Sequence, residues 1–153
     1  MCYFKSSPLI MRHKKVPPDQ CFVAYKWLDC ESGELRSQHF RNHGTRWIPE
    51  EPARADGIPD TRTGRGIYAL AKNPDAFYGY VIAKLHLWGY VLEFAASPWG
   101  TREAGFMAEW AEIQELTLPA FLAKEQGEML VERWEGHGVK ITTGKRVLLK
   151  AAA

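Results

Sequence analysis

Apolar and polar residues alternate most regularly along Val81–Phe94 (VIAKLHLWGYVLEF). Val81, Ala83, Leu85 and Leu87 share one phase while Lys84 and His86 take the other, which is the period-two signature of a half-buried strand. After Gly89 the phase slips by one, so that Tyr90, Leu92 and Phe94 become the apolar set. A one-residue slip at a glycine is what a β-bulge or sharp bend leaves in a sequence. His86 therefore reads as a sheet-face residue rather than a catalytic base. Residues 21–28 (CFVAYKWL) are dense in β-branched and aromatic side chains and predict another strand. Phe22, Ala24, Lys26 and Leu28 share one of its faces; Val23, Tyr25 and Trp27 share the other. A turn over 29–33 and a returning strand over 34–40 follow.

Elsewhere the period changes. Phe106, Trp110 and Ile113 sit at helical spacing among Ala, Glu and Gln, so the local pattern over 103–118 predicts a helix with its glutamates in water. Residues 119–134 predict a second helix, opened by Pro119 and ended before Gly136. Residues 139–149 (VKITTGKRVLL) predict a hairpin turning near Thr143-Gly144. A short helix is expected over 74–80, with Asn73 as its N-cap and Pro74 in its first turn. Residues 1–20 contain three prolines and no sustained period, and read as an arm laid over the domain. From Arg41 to Gly66 the chain turns to Arg, Pro, Gly and Asp with Trp47 and Ile58 as apolar anchors, and a connection that long inside one domain is usually functional or disordered.

Composition narrows the class. The chain has 153 residues, 46% hydrophobic and 25% charged, the values of a single globular domain over 1–150 able to bury a core. The closing alanines, 151–153, read as an expression scar. No apolar run is long enough to span a bilayer, and Lys5, Pro8, Arg12 and Lys14 interrupt any signal-peptide pattern, so the expectation is a soluble, cytoplasmic protein with no membrane partner. Three cysteines, Cys2, Cys21 and Cys30, do not make a disulfide framework. Cys21, Cys30, His39 and His43 invite a zinc reading, but the cysteine spacing is far wider than zinc modules use, and no metal is expected. The net charge of +2 is too small to argue for nucleic acid by itself. Arg36, Arg41, Arg46, Arg54, Arg62 and Arg65 nevertheless cluster ahead of an acidic second half. Acidic residues dilute that cluster, so it reads either as a solvated loop or as a site for phosphate or pyrophosphate.

The remaining feature is Gly64-Arg65-Gly66-Ile67-Tyr68-Ala69. Glycines permit close backbone approach at a loop end, and Ile67 and Tyr68 suit a strand. The local reading is loop, short strand, helix, with Tyr68 placed where a ligand can lie against it. GRGIYA, then a short helix, then VIAKLHLWGYVLEFAAS, then MAEWAEIQELTLPAFL resembles the catalytic core of the ADP-ribosyltransferase superfamily, in its poly(ADP-ribose) polymerase-like and diphtheria-toxin-like branch. The resemblance covers roughly residues 21–122 and is strongest from Gly64 onward.

It implies an α+β fold of two packed, curved, mostly antiparallel sheets with few helices, and makes 107–116 a strand against the local helical reading. Tyr68, with Gly66 beside it, matches the tyrosine that stacks on the nicotinamide ring of NAD. Glu109 matches the glutamate that holds the nicotinamide ribose. The first-strand position, histidine in that branch and arginine in a sister branch, falls at Tyr25 or Lys26, a ribose or phosphate contact. Arg62 and Arg65 are the arginines nearest in sequence for the pyrophosphate. The implied activity is NAD-dependent mono-ADP-ribosyl transfer to a protein or nucleic-acid acceptor, and the small size fits a toxin or a phage or bacterial conflict effector. The altered first strand is also what a non-catalytic module would show, one that keeps the fold and binds protein or nucleic acid through its Arg-rich loop.

Overall fold

Two strands of 14 residues each, paired antiparallel along almost their whole length, form the spine of the structure. The computed structural model describes residues 12–37, 46–55, 57–60, 65–74, 77, 79–95 and 103–144. Among these the strands are β1 (Arg12–Val16), β2 (Phe22–Glu31), β3 (Glu34–Ser37), β4 (Arg46–Trp47), β5 (Ala53–Arg54), β6 (Ile67–Leu70), β7 (Val81–Phe94), β8 (Gly105–Leu118) and β9 (Lys140–Thr143). The α-helix among them is α1 (Lys124–Trp134).

The protein is sheet-rich α+β, and its described strands join into a single mixed nine-stranded sheet rather than two separate ones. β7 carries β8 on one side; on its other side it carries β2 along its first half and β1 along its second. β8 carries β6, β5 and β9 in turn on its free side. β6 then reaches β2 through the pair Tyr25 and Leu70. The neighbours β2, β7, β8 and β6 therefore form a closed circuit, which only strongly curved strands permit. Leu28, Leu85, Leu87, Val91 and Leu116 fill its interior with no appreciable solvent exposure.

The prediction for β7 agrees with its observed bounds, and the slip at Gly89 is a real irregularity: the register jumps between Trp88 and Val91. Its effect differs from the simple change of face the pattern suggests. Val91 stays in the main core, while Leu92 and Phe94 enter a second cluster with Met107 on the other side of the sheet.

The helix expected over 103–118 is β8 instead. The core-facing residues of β8 are Phe106 and Ala108, then Ala111 and Ile113, then Leu116 and Leu118. Their spacing runs two, three, two, three, two, because the inward phase switches between Ala108 and Ala111 and again near Gln114. Each switch accompanies a register shift against β7. A strand interrupted in this way loses strict alternation and imitates a helical period.

Other expectations shift by smaller amounts. Residues 12–16 of the expected arm form an edge strand on β7. β2 runs on to Glu31 and turns through Ser32 and Gly33, whose φ values of 53° and 78° suit a two-residue hairpin turn. The helix after Pro119 starts only at Lys124 and buries Leu130 and Trp134. As a crossover it brings β9 back parallel to β8. The return strand expected after Thr143-Gly144 lies outside the described residues. Trp47 is a buried anchor, its indole N–H donating to Ser37 Oγ at 3.1 Å, whereas Ile58 is 55% exposed. Of the helix expected over 74–80, Asp75, Ala76 and Tyr78 lie outside the described residues, and Gly79 sits at φ 81°, outside helical space. No helix among the described residues is long and apolar enough to cross a membrane.

Gly89 holds the β7 irregularity open. Its φ is 79°, and an added Cβ would stand 2.5 Å from Glu109 Oε1 and 2.8 Å from Trp110 Cδ1. Gly79 has a comparable φ of 81° with nothing among the described residues within 4 Å of the same hypothetical atom. Gly79→Ala is expected to cost about 1 kcal/mol from backbone strain alone, and Gly89→Ala to exceed it by ~1–3 kcal/mol from overpacking. Urea midpoints of the two variants measure the difference; equal losses would show that β8 yields freely at this point.

Candidate functional site

β6 alternates cleanly. Ile67 and Ala69 face the main core, and Tyr68 faces the second cluster of Leu92, Phe94 and Met107. The Tyr68 and Phe94 rings stack with centroids 5.7 Å apart and planes 13° from parallel. The loop before β6 is pinned at Gly66, where φ is 118° and a Cβ would meet Pro59 at 3.1 Å and Met107 at 3.2 Å. The backbone of Asp60 donates to the carbonyl of Arg65 at 3.0 Å, which closes that loop on itself. Arg65 is exposed at its end, while Arg62 and Gly64 lie outside the described residues.

Lys26 occupies an inward position between Ala24 and Leu28 and is only 8% exposed. Its ammonium donates to the Tyr68 carbonyl at 2.7 Å and stands 5.8 Å from the Tyr68 ring centroid. Removal from water lowers its pKa from 10.5 to about 8. Lys26 thus ties β2 to β6 from inside. Tyr25 faces the other way, opposite Leu70, on the side of the sheet that carries Tyr68.

Glu109 follows inward-facing Ala108 and so turns away from the main core. Its side chain is 15% exposed; Oε2 lies 3.8 Å from Arg54 Nη2, and Oε1 accepts the Tyr90 backbone N–H at 3.3 Å. Tyr68 pairs with Met107 across β6 and β8, which makes Glu109 its diagonal neighbour at about 7–8 Å between Cα atoms. The structure therefore places Tyr25, Tyr68 and Glu109 on one side of the sheet, with Lys26 reaching Tyr68 from the other. Away from Glu109, a concavity of about 490 Å³ lies at the opposite end of β6, lined by Leu70, Lys72, Asn73, Pro74 and Glu103. A second of about 230 Å³ abuts Phe94.

Glu112 shows what the phase switch on β8 changes. Regular alternation puts it on the opposite side from Glu109, but here it is exposed and pairs with His86, facing outward as Glu109 does. Aromatic residues given no role from sequence lie near Glu109, together with Arg54 of the arginine cluster. The Trp88 and Trp110 rings lie 6.1 Å apart and parallel within 1°, the Arg54 guanidinium stands 4.8 Å over Trp110, and Lys15 stands 5.5 Å over Tyr90. Trp110 was legible only as part of a helical spacing. The available signal was the pair Trp88-Gly89-Tyr90 and Glu109-Trp110, whose register a sequence does not display.

Cys21 and Cys30 carry free thiols at opposite ends of β2, which separates them by roughly 30 Å along an extended strand. Burial raises the Cys30 thiol above its ordinary value. Cys2, His39 and His43 lie outside the described residues. No family model, curated protein or solved structure matches the chain.

Between its folded value of about 8 and its ordinary value of 10.5, Lys26 is protonated in the unfolded chain and largely neutral in the folded one. The unfolded chain then binds more protons, so stability rises with pH across that window, by up to about 3 kcal/mol. Lys26→Met is expected to flatten this rise. Denaturation of both proteins between pH 7 and pH 10.5 measures it, and parallel curves would assign the rise to other groups.

Proposed function

We propose that this chain is an NAD-dependent mono-ADP-ribosyltransferase, with Tyr68 as the nicotinamide stacker and Glu109 as the ribose-side carboxylate. The observation that carries the reading is the pairing of β6 with β8, which sets Tyr68 and Glu109 diagonally on one side of the sheet. Tyr25, on that same side, is the better placed of the two first-strand candidates for a ribose hydroxyl. Lys26 contributes by holding the Tyr68 backbone. Arg65 and Arg62 remain the candidates for the pyrophosphate.

The chemistry suits those roles. The bond from ribose C1′ to the nicotinamide nitrogen breaks, nicotinamide leaves neutral with the electron pair, and C1′ gains oxocarbenium character as in glycoside hydrolysis. A nucleophilic N–H or O–H of the acceptor bonds to C1′ and releases its proton. A fixed carboxylate next to the ribose stabilises the developing charge, most strongly where water is excluded. The Tyr90 N–H donates to the Glu109 carboxylate before any ligand arrives, with the Arg54 guanidinium nearby. An effector from a bacterium or phage is the biological setting proposed for such a domain.

A second reading, a binding module without catalysis, is favoured by one observation. The Tyr68 ring already stacks on Phe94 with the Lys26 ammonium near it, so part of its π surface has a protein partner.

Release of nicotinamide from labelled NAD, with and without a cell lysate as acceptor, separates the two. Glu109→Gln keeps side-chain size and removes the charge. Turnover is expected to fall about 100- to 1,000-fold while NAD affinity is retained. Glu125→Gln, an exposed position in the first turn of α1, is the matched control. Wild-type protein that releases no nicotinamide on any lysate would contradict the transferase reading. Arg65→Ala is expected to weaken NAD binding by about 1.5–3 kcal/mol with little change in stability; unchanged affinity would leave Arg65 as a solvated charge.

A further inference from the structure

The outer side of the sheet beyond Glu109 carries a feature that NAD recognition does not use. Trp88 on β7 and Trp110 on β8 are cross-strand partners with parallel rings, both half-buried, Trp88 partly against the main core cluster. Arg54 and Lys15 stand beside them, and the carboxylates of Glu109 and Glu112 face the same side. Arg54, its side chain 63% exposed, stacks over Trp110, and exposed Lys15 stands over Tyr90, two residues along β7 from Trp88. Single-stranded nucleic acid suits this combination of aromatic surface and positive charge: bases stack on aromatic faces, while neighbouring phosphates take the cations. Duplex does not offer its base faces, so the same surface discriminates against it.

We propose that the Trp88–Trp110 face, with Arg54 and Lys15 at its margins, binds single-stranded nucleic acid. Resting on the transferase reading, this names the acceptor class, because Glu109 joins the two regions through its ion pair with Arg54. That ion pair is long at 3.8 Å and its Arg54 partner is largely exposed, so a phosphate can compete for the guanidinium.

The test is a titration of the full chain with a fluorescein-labelled oligothymidylate in low salt, read by anisotropy and by quenching of tryptophan emission. NAD is absent, so the result is independent of nicotinamide release. Saturable binding with quenching is expected, with duplex of equal length at least tenfold weaker. Two phosphate contacts give a slope of log affinity against log salt of about −1.4, and Arg54→Ala reduces it by about 0.7. Trp110→Ala lowers affinity about 5- to 100-fold, and Trp110→Phe restores most of it. Arg54→Ala alters an exposed side chain and keeps the test decisive where the Trp110 variant fails to fold. Absence of binding, equal affinity for duplex, or binding unchanged in both Arg54→Ala and Trp110→Ala would overturn the proposal. Binding of the oligonucleotide by a protein that releases no nicotinamide would overturn only the transferase reading.

Discussion

The long pairing of β7 with β8 is the constraint on which the rest of the structure depends. Two 14-residue strands cannot stay flat against each other and still bury one side of both. They curl until β2, bonded to the first half of β7, also meets β6 on the far side of β8. Curling that tight needs places where the ladder gives, and Gly89-Tyr90 opposite Glu109 is one of them. There the inward phase of β8 switches, leaving Glu109 and Trp110 both directed away from the core. The carboxylate and the aromatic pair beside it are thus consequences of how the sheet closes.

Some of this was legible in the residues. β7 shows its alternation because its inward row, Val81 to Leu87, is unbroken, and the glycine where the row falters is where the register jumps. β2 announces itself through β-branched and aromatic density, although its true end at Glu31 depends on the hairpin turn at Ser32-Gly33. β8 was hidden for a physical reason. Two register shifts in one strand space its core residues by twos and threes, and local propensity then favours helix. Only the order of segments pointed to a strand at Glu109. The closure of the sheet through Tyr25 and Leu70, the parallel return of β9 and the Trp88–Trp110 pair are long-range facts, and no local window contains them.

Lys26 illustrates how burial redirects a functional expectation. Read from sequence, it is a cation available to a phosphate. In the fold it sits in the inward row of β2, and its ammonium is spent on the Tyr68 carbonyl. A buried amine is tolerated where it makes a hydrogen bond, and its lowered pKa reflects what desolvation still costs. Lys26 holds β6, and with it Tyr68, against the closing strand. Tyr25, its neighbour in sequence, is the residue that alternation turns toward the Tyr68 side.

The central claim is that the side of the sheet carrying Tyr25, Tyr68 and Glu109 receives NAD. Calorimetric titration of the intact chain with NAD, and with nicotinamide and ADP-ribose separately, tests it most directly. The expected result is saturable binding of one NAD per chain, weakened by Tyr68→Ala, with both fragments binding more weakly than the whole. Absence of any saturable heat for NAD, or NAD binding indifferent to Tyr68→Ala, would contradict it.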